Sequence, residues 1–201
     1  MTDPVEFFES QFRRQIASHE FVLNSFEQAA LPYLRGRVLD LGCGLGNLAL
    51  EAGRLGCEVL AVDASQSAIE RINQDAAAGH LKVRAISCDI GHYKISASYD
   101  TVLAIGLLMF FPRDKALFLL HDIQTHVAAG GYAIVNVLIE GTTFLGMFGK
   151  GGHTLFGREE LERHFADWEI FLSRHDEYAA PGDTRKVFST VIARKPVNRL
   201  Q

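Results

Sequence analysis

The stretch Val38-Leu39-Asp40-Leu41-Gly42-Cys43-Gly44-Leu45-Gly46-Asn47 decides how the rest of the chain is read. It reads as a buried strand that runs into a glycine loop and then into a helix. Such a loop lets backbone approach a bulky polar ligand closely. A dinucleotide-binding turn needs the spacing G-x-G-x-x-G. Here the glycines fall at 42, 44 and 46, and the position of the third dinucleotide glycine is Asn47. Asp40 lies at the strand end, where it would repel a pyrophosphate. These two departures count against a nicotinamide-dependent oxidoreductase.

Strand and helix alternate outward from this loop. Strands are expected at Arg37–Leu41, Glu58–Val62, Leu81–Ser87, Thr101–Ile105 and Tyr132–Ile139, with helices at Leu45–Leu55, Ser65–Ala78 and Arg113–Val127. Ser65 is placed as an N-cap, and Gly130-Gly131 closes the third helix. The strands are almost continuously apolar, which points to a parallel sheet covered on both faces. The fold class is therefore α/β, doubly wound. Residues 4–31 read as helical, with Phe8, Phe12, Ile16, Phe21, Val22 and Phe26 at three- and four-residue intervals. That stripe fits either a core-facing surface or a cap over the ligand pocket. Residues 140–157 hold six glycines among Phe144, Leu145, Met147, Phe148, His153 and Phe156. A loop of that composition suits a lid or pocket wall better than a solvated connector. A short helix at Arg158–Phe165 and strands at Trp168–Ser173 and Lys186–Ala193 complete the chain. Residues 1–201 form one domain on this reading, with 1–33 as an N-terminal helical cap.

Three acids fall at successive strand ends, where open parallel sheets bind their ligands. Asp40 ends the first strand, Asp63 the second, and Asp89 follows the third. S-adenosylmethionine carries a sulfonium and an ammonium and no phosphate, so carboxylates around the loop suit it. Asp63 is placed to accept from two ribose hydroxyls. Asp89 is placed to receive the adenine amino group, with the Ile90 amide beside it, and Asp40 to take the amino-acid ammonium. Each acid also has a plainer reading, Asp63 as a helix cap and Asp89 as a turn residue. The expected cofactor shell is Asp40, Gly42, Cys43, Gly44, Gly46, Asn47, Asp63, Ala64, Asp89, Ile90, Ile105 and Leu107.

The loop resembles motif I of class I S-adenosylmethionine-dependent methyltransferases. Ile105-Gly106-Leu107-Leu108 stands where amino- and DNA-directed members often carry a polar motif, and nothing in it accepts an amine proton. The resemblance narrows further on Leu39–Gly44, Leu108-Met109-Phe110, Gly130-Gly131-Tyr132, Phe156 with Glu160-Leu161, Trp168-Glu169 and Phe188–Lys195. On these stretches the chain resembles the TehB-type tellurite-resistance methyltransferases. That resemblance implies a mostly parallel seven-stranded sheet whose last strand is antiparallel. It also implies methyl transfer to tellurite, selenite or a related soft anion. Members carry a His-Arg or His-Lys pair and a further basic residue before the last strand. Here His175 and Arg185 are the nearest matches, with Arg174 preceding the histidine. These three are expected to attract and orient an anionic acceptor. A thiol, a carboxylate or another metabolite is the alternative acceptor, and a non-catalytic binding protein the alternative role.

Composition limits the other classes. A net charge of −4 disfavours a sequence-independent grip on nucleic acid. Cys43, Cys57 and Cys88 form no C-x-x-C pair, and the histidines show no metal-ligand spacing, so no metal is expected. Free cysteines fit a reducing cytoplasm. The acidic start lacks the apolar core of a secretory signal, and no apolar run reaches the length of a membrane span. The expected partner is a small-molecule acceptor, with no nucleic acid and no membrane, and a homodimer stays open.

Overall fold

A computed structural model describes residues 4–149 and 151–197. Parts of three expectations lie outside those residues: the acidic start at 1–3, position 150 of the glycine-rich loop, and residues 198–201.

The chain forms a seven-stranded sheet in the order β3-β2-β1-β4-β5-β7-β6. Its strands are β1 (Arg37–Leu41), β2 (Glu58–Asp63), β3 (Val83–Ser87), β4 (Tyr99–Ile105), β5 (Val127–Leu138), β6 (Glu169–Ala180) and β7 (Thr184–Arg194). β1 through β5 pair in parallel, and β7 runs antiparallel to both β5 and β6. The strand order reverses between β1 and β4, which opens a crevice at their carboxyl ends.

The helices are α1 (Pro4–Ala17), α2 (Ser25–Ala30), α3 (Asn47–Arg54), α4 (Gln66–Ala78), α5 (Arg113–His126) and α6 (Glu160–His164). Two apolar layers hold them to the sheet. On one face Val38, Val59, Ala61, Leu103 and Ile134 meet Leu48, Leu50 and Ala52 of α3 and Ile69 and Ile72 of α4. On the other, Leu39, Leu41, Val102 and Val135 meet Ala116, Leu119, Leu120 and Ile123 of α5, with Phe156, Leu161 and Phe165. Each such Leu, Ile or Phe contributes about 1.5–3 kcal/mol by leaving water. Successive residues of β1 and β4 serve opposite layers, as the pleat requires.

Four expectations need correction. Residues 4–31 are not one helix. The Ser18 hydroxyl bonds back to the Arg14 carbonyl at 2.9 Å, and His19 turns to φ +54°. α2 then restarts at a capping box: the Asn24 side chain accepts from the Phe26 and Glu27 amides, and the Glu27 carboxylate accepts from the Asn24 amide. Gly130-Gly131 does not terminate a helix but lies within β5, where Gly130 donates to the Lys195 carbonyl and Lys195 to the Gly131 carbonyl. β6 and β7 run past their expected ends to form a long hairpin that closes at 181–183. The last helix is shorter than expected, only Glu160–His164.

None of the described helices is long and apolar enough to cross a membrane.

Candidate functional site

A cavity of about 800 Å³ opens at the carboxyl ends of β1 to β4. Its floor is the expected glycine loop, where Gly42, Cys43, Gly44, Leu45 and Asn47 all line it. Positive φ at Gly42 (+66°) and Gly44 (+52°) turns the chain sharply after β1. Asp63 and Ala64 line it from the end of β2, Asp89 and Ile90 from beyond β3, and Ile105, Gly106 and Leu107 from the end of β4. Of the expected cofactor shell, Gly46 alone is not a wall residue. It is the left-handed N-cap of α3 and lets Ile72 of α4 pack against the backbone.

The acids behave differently from one another. Asp63 is held by the backbone: its Oδ2 accepts from the Gly44 amide and its Oδ1 from the Ser65 amide, both at 2.9 Å. It thereby ties the end of β2 to the glycine loop. Ser65, not Asp63, caps α4, by accepting from the Ala68 amide. Burial raises the Asp63 carboxyl above its ordinary range, and amide bonds from Ser65, Gly44 and Ala64 offset part of that rise. Asp89 accepts from the Gly91 amide and pairs with His92 Nδ1 at 2.8 Å, a turn geometry that leaves it well exposed.

Asp40 is 5 % exposed and receives no hydrogen bond among the described residues. Burial pushes its carboxyl up to about 8, and the neighbouring charges of Glu27 and Asp63 add to the shift. Burial also raises Glu27. A buried carboxylate facing a cavity, without a donor, calls for a cationic partner. Cys43 beside it is held as the neutral thiol by burial and by Asp40 and Asp63, so no nucleophilic role follows for it.

The roof comes from the amino terminus. Val5, Phe8, Gln11, Phe12 and Gln15 of α1 line the cavity, as do Val22, Asn24 and Glu27. The Ser65 hydroxyl donates to Glu9, latching α1 to the end of β2. Burial would raise Glu9, but hydrogen bonds from Ser65, Arg13 and Ser67 hold it below its ordinary range. Arg71 of α4 forms a second latch. Its guanidinium donates to the Leu45 carbonyl at 2.6 Å and to Asn47 Oδ1 at 2.9 Å, and lies 3.6 Å from the centre of the Phe21 ring. One side chain thus joins the glycine loop to the segment between α1 and α2. Phe110, Phe111, Gly149, Gly151 and Gly152 wall the remaining side.

The three basic residues expected to hold an anionic acceptor do not line this cavity. Arg174 and His175 lie on β6 and Arg185 on β7, the two outermost strands on that side. The hairpin carries them past the crevice, and neighbouring groups engage each of them. Arg174 pairs with Asp176 at 2.7 Å. His175 Nε2 lies 2.9 Å from the Arg158 carbonyl oxygen and 3.6 Å from Glu162. Arg185 donates to the Gly141 carbonyl at 3.0 Å and faces Glu177 at 3.6 Å. Conversely, Glu27, Asn24 and Arg71 were not read from the sequence as site residues. The Asn-x-x-Glu capping box was the one available signal for the first two. Nothing in the sequence places Arg71 at the site.

Comparison with known proteins agrees with this architecture. The chain is 30% identical over 168 residues to hemagglutinin 1 of Eikenella corrodens. It is 29% identical over 168 residues to a protein of Haemophilus influenzae described as a probable S-adenosyl-L-methionine-dependent methyltransferase TehB. These matches cover 80% and 79% of this chain but only 55% and 57% of the two relatives, so the chain spans little more than half their length. The crystal structure of TehB from Haemophilus influenzae superposes with a TM-score of 0.72 at 23% identity, covering 87% of this chain and 62% of that one. The model of the family described as tellurite resistance protein TehB matches residues 4–179. With nearly the whole described fold inside that match, the chain belongs to the TehB family.

Proposed function

We propose that this chain is an S-adenosylmethionine-dependent methyltransferase acting on a small molecule. The observation that carries this reading is Asp40, a buried carboxylate with no donor among the described residues that faces a cavity at the end of β1. S-adenosylmethionine fits that demand, because its amino-acid end bears an ammonium next to a sulfonium. A dinucleotide would bring a pyrophosphate against Asp40, Asp63 and Glu27. In this reading Asp40 takes the ammonium, Asp63 the ribose hydroxyls, and Asp89 with the Ile90 amide the adenine edge. The loop Gly42–Gly44 lies beneath, and Ile105 and Leu107 form the apolar wall. When bound, the cofactor supplies a methyl group already activated by the positive sulfur. The chain's own residues then need to align an acceptor, exclude water and hold the charges in place. α1, latched through Glu9, and the segment after it, held by Arg71, serve as the cover, with Gly149, Gly151 and Gly152 beside them.

The family description, tellurite resistance, supports tellurite as the acceptor, with selenite as its chemical relative. A second reading, another small metabolite, is favoured by the placement of Arg174, His175 and Arg185 away from the cavity. Incubating the purified chain with S-adenosylmethionine and a panel of acceptors, and measuring S-adenosylhomocysteine release, tests both. Turnover with tellurite or selenite supports the first reading, and turnover with an organic acceptor alone supports the second. Alanine replacement of His175 and Arg185 is expected to leave turnover with the accepted substrate unchanged in either case. Release with no acceptor on the panel exceeding the acceptor-free rate would count against the methyltransferase reading.

A further inference from the structure

The acidic side chains of the cavity divide it into two halves. Asp89, Asp63 and Asp40 follow the strand order β3-β2-β1 and account for one half under the methyltransferase reading, on which this inference rests. The other half lies beyond β4. Leu107 and Phe110 wall it, with Phe8 above. α2 is drawn to this side by its own contacts. The Phe26 ring sits 4.9 Å from Phe188 of β7, and the Ser25 hydroxyl lies 2.8 Å from that of Tyr178 on β6. That placement carries Glu27 into the cavity, close enough to Asp40 for the two charges to interact. In the same cavity the Phe8 and Phe110 rings meet edge to face at 5.3 Å, and Phe110 continues to Phe148 at 5.3 Å.

The geometry points to this half as a subsite for a small organic amine in its ammonium form, paired with Glu27 and packed against Phe8 and Phe110. A carboxylate set among aromatic rings recognises a cation with an apolar body. An oxyanion in this half would meet the Glu27 carboxylate. The segment after β4 supplies no group to receive an amine proton. Glu27 supplies one within the same cavity.

The test measures binding rather than turnover. The full chain is saturated with S-adenosylhomocysteine and titrated calorimetrically with benzylamine, with uncharged benzyl alcohol and with sodium tellurite. Benzylamine is expected to bind at least about 10-fold more tightly than benzyl alcohol, a difference of about 1.4 kcal/mol. Glu27→Gln is expected to erase that preference in a chain that still binds S-adenosylhomocysteine, and a glutamine still completes the capping box. Phe110→Leu, which keeps an apolar wall, is expected to weaken benzylamine and benzyl alcohol alike by about 5-fold through the lost ring contacts. Equal binding of the amine and the alcohol, tighter binding of tellurite, or an unchanged preference in Glu27→Gln would overturn the assignment. Failure of the wild-type chain to bind S-adenosylhomocysteine would overturn the methyltransferase reading and this subsite with it.

Discussion

Asp40→Asn is expected to weaken S-adenosylmethionine binding by about 100-fold or more while making the ligand-free protein more stable. Both effects come from one buried charge. Removing one partner of a desolvated charge pair costs about 2–5 kcal/mol, and the asparagine offers no charge to the ammonium. Stability moves the other way because the native carboxyl titrates at about 8, against 3.8 for an ordinary one. Between those values the native protein keeps a proton that the unfolded chain has released. Native stability therefore falls as pH rises through that window, by up to about 1.4 kcal/mol per pH unit, and levels off above it. The variant lacks this loss. Its melting temperature is expected to lie below the wild type near pH 4, where both side chains are neutral, and to exceed it by about 5 °C at pH 7.5. That figure is set low to allow for the polar amide left in the same buried position. Thermal melts of both proteins from pH 4 to 8.5 check it, and parallel curves would contradict the assignment of the charge to Asp40.

Gly46→Ala is expected to be the most damaging of the conservative changes in the loop, and through folding, not binding. Gly46 holds φ +70°, a conformation that costs an L-residue about 1–2 kcal/mol. A Cβ there would lie 2.4 Å from Ile72 Cγ1, inside the layer that packs α4 on the sheet. Overpacking of this kind adds about 1–3 kcal/mol. The sum corresponds to a loss of roughly 4–20 °C in melting temperature for a chain of this size. Ile72→Ala opens a cavity alone, but in the Gly46→Ala background it also relieves the clash. The double-mutant cycle is expected to show at least about 1 kcal/mol of coupling. Additive effects would mean that the two residues do not meet.

The parts of this fold that were legible in the sequence are those set by local rules. Val38–Leu41 and the glycines after it announce strand and turn within ten residues, and the apolar runs at 58–62 and 101–105 announce buried parallel strands. The break between α1 and α2 was hidden because Phe8, Phe12, Phe21 and Phe26 keep a helical rhythm across it. Only the chemistry of Ser18 and Asn24 stops the helix. The length of β6 was hidden for a different reason. It is an edge strand with no fully buried residue and no alternation of buried and exposed positions, so its extent comes from pairing with β7 and not from its own pattern.

The site divides along the same line. Asp40, Asp63 and Asp89 could be read because strand ends position them. Glu27 and Arg71 could not, because long-range packing alone brings α2 and α4 against the glycine loop. Arg174, His175 and Arg185 entered through family resemblance. The hairpin that carries them sits on the outermost strands, where Asp176, the Arg158 carbonyl and the Gly141 carbonyl engage them.

The central claim is that the crevice between β1 and β4 holds S-adenosylmethionine through the carboxylates at the strand ends. Calorimetric titration of the wild-type chain with S-adenosylmethionine and with NADH tests it most directly. One S-adenosylmethionine site per chain is expected, at least about 100-fold weaker in Asp40→Asn by the lost charge pair, with no heat from NADH. Binding of NADH, or S-adenosylmethionine binding that is indifferent to Asp40, would contradict it.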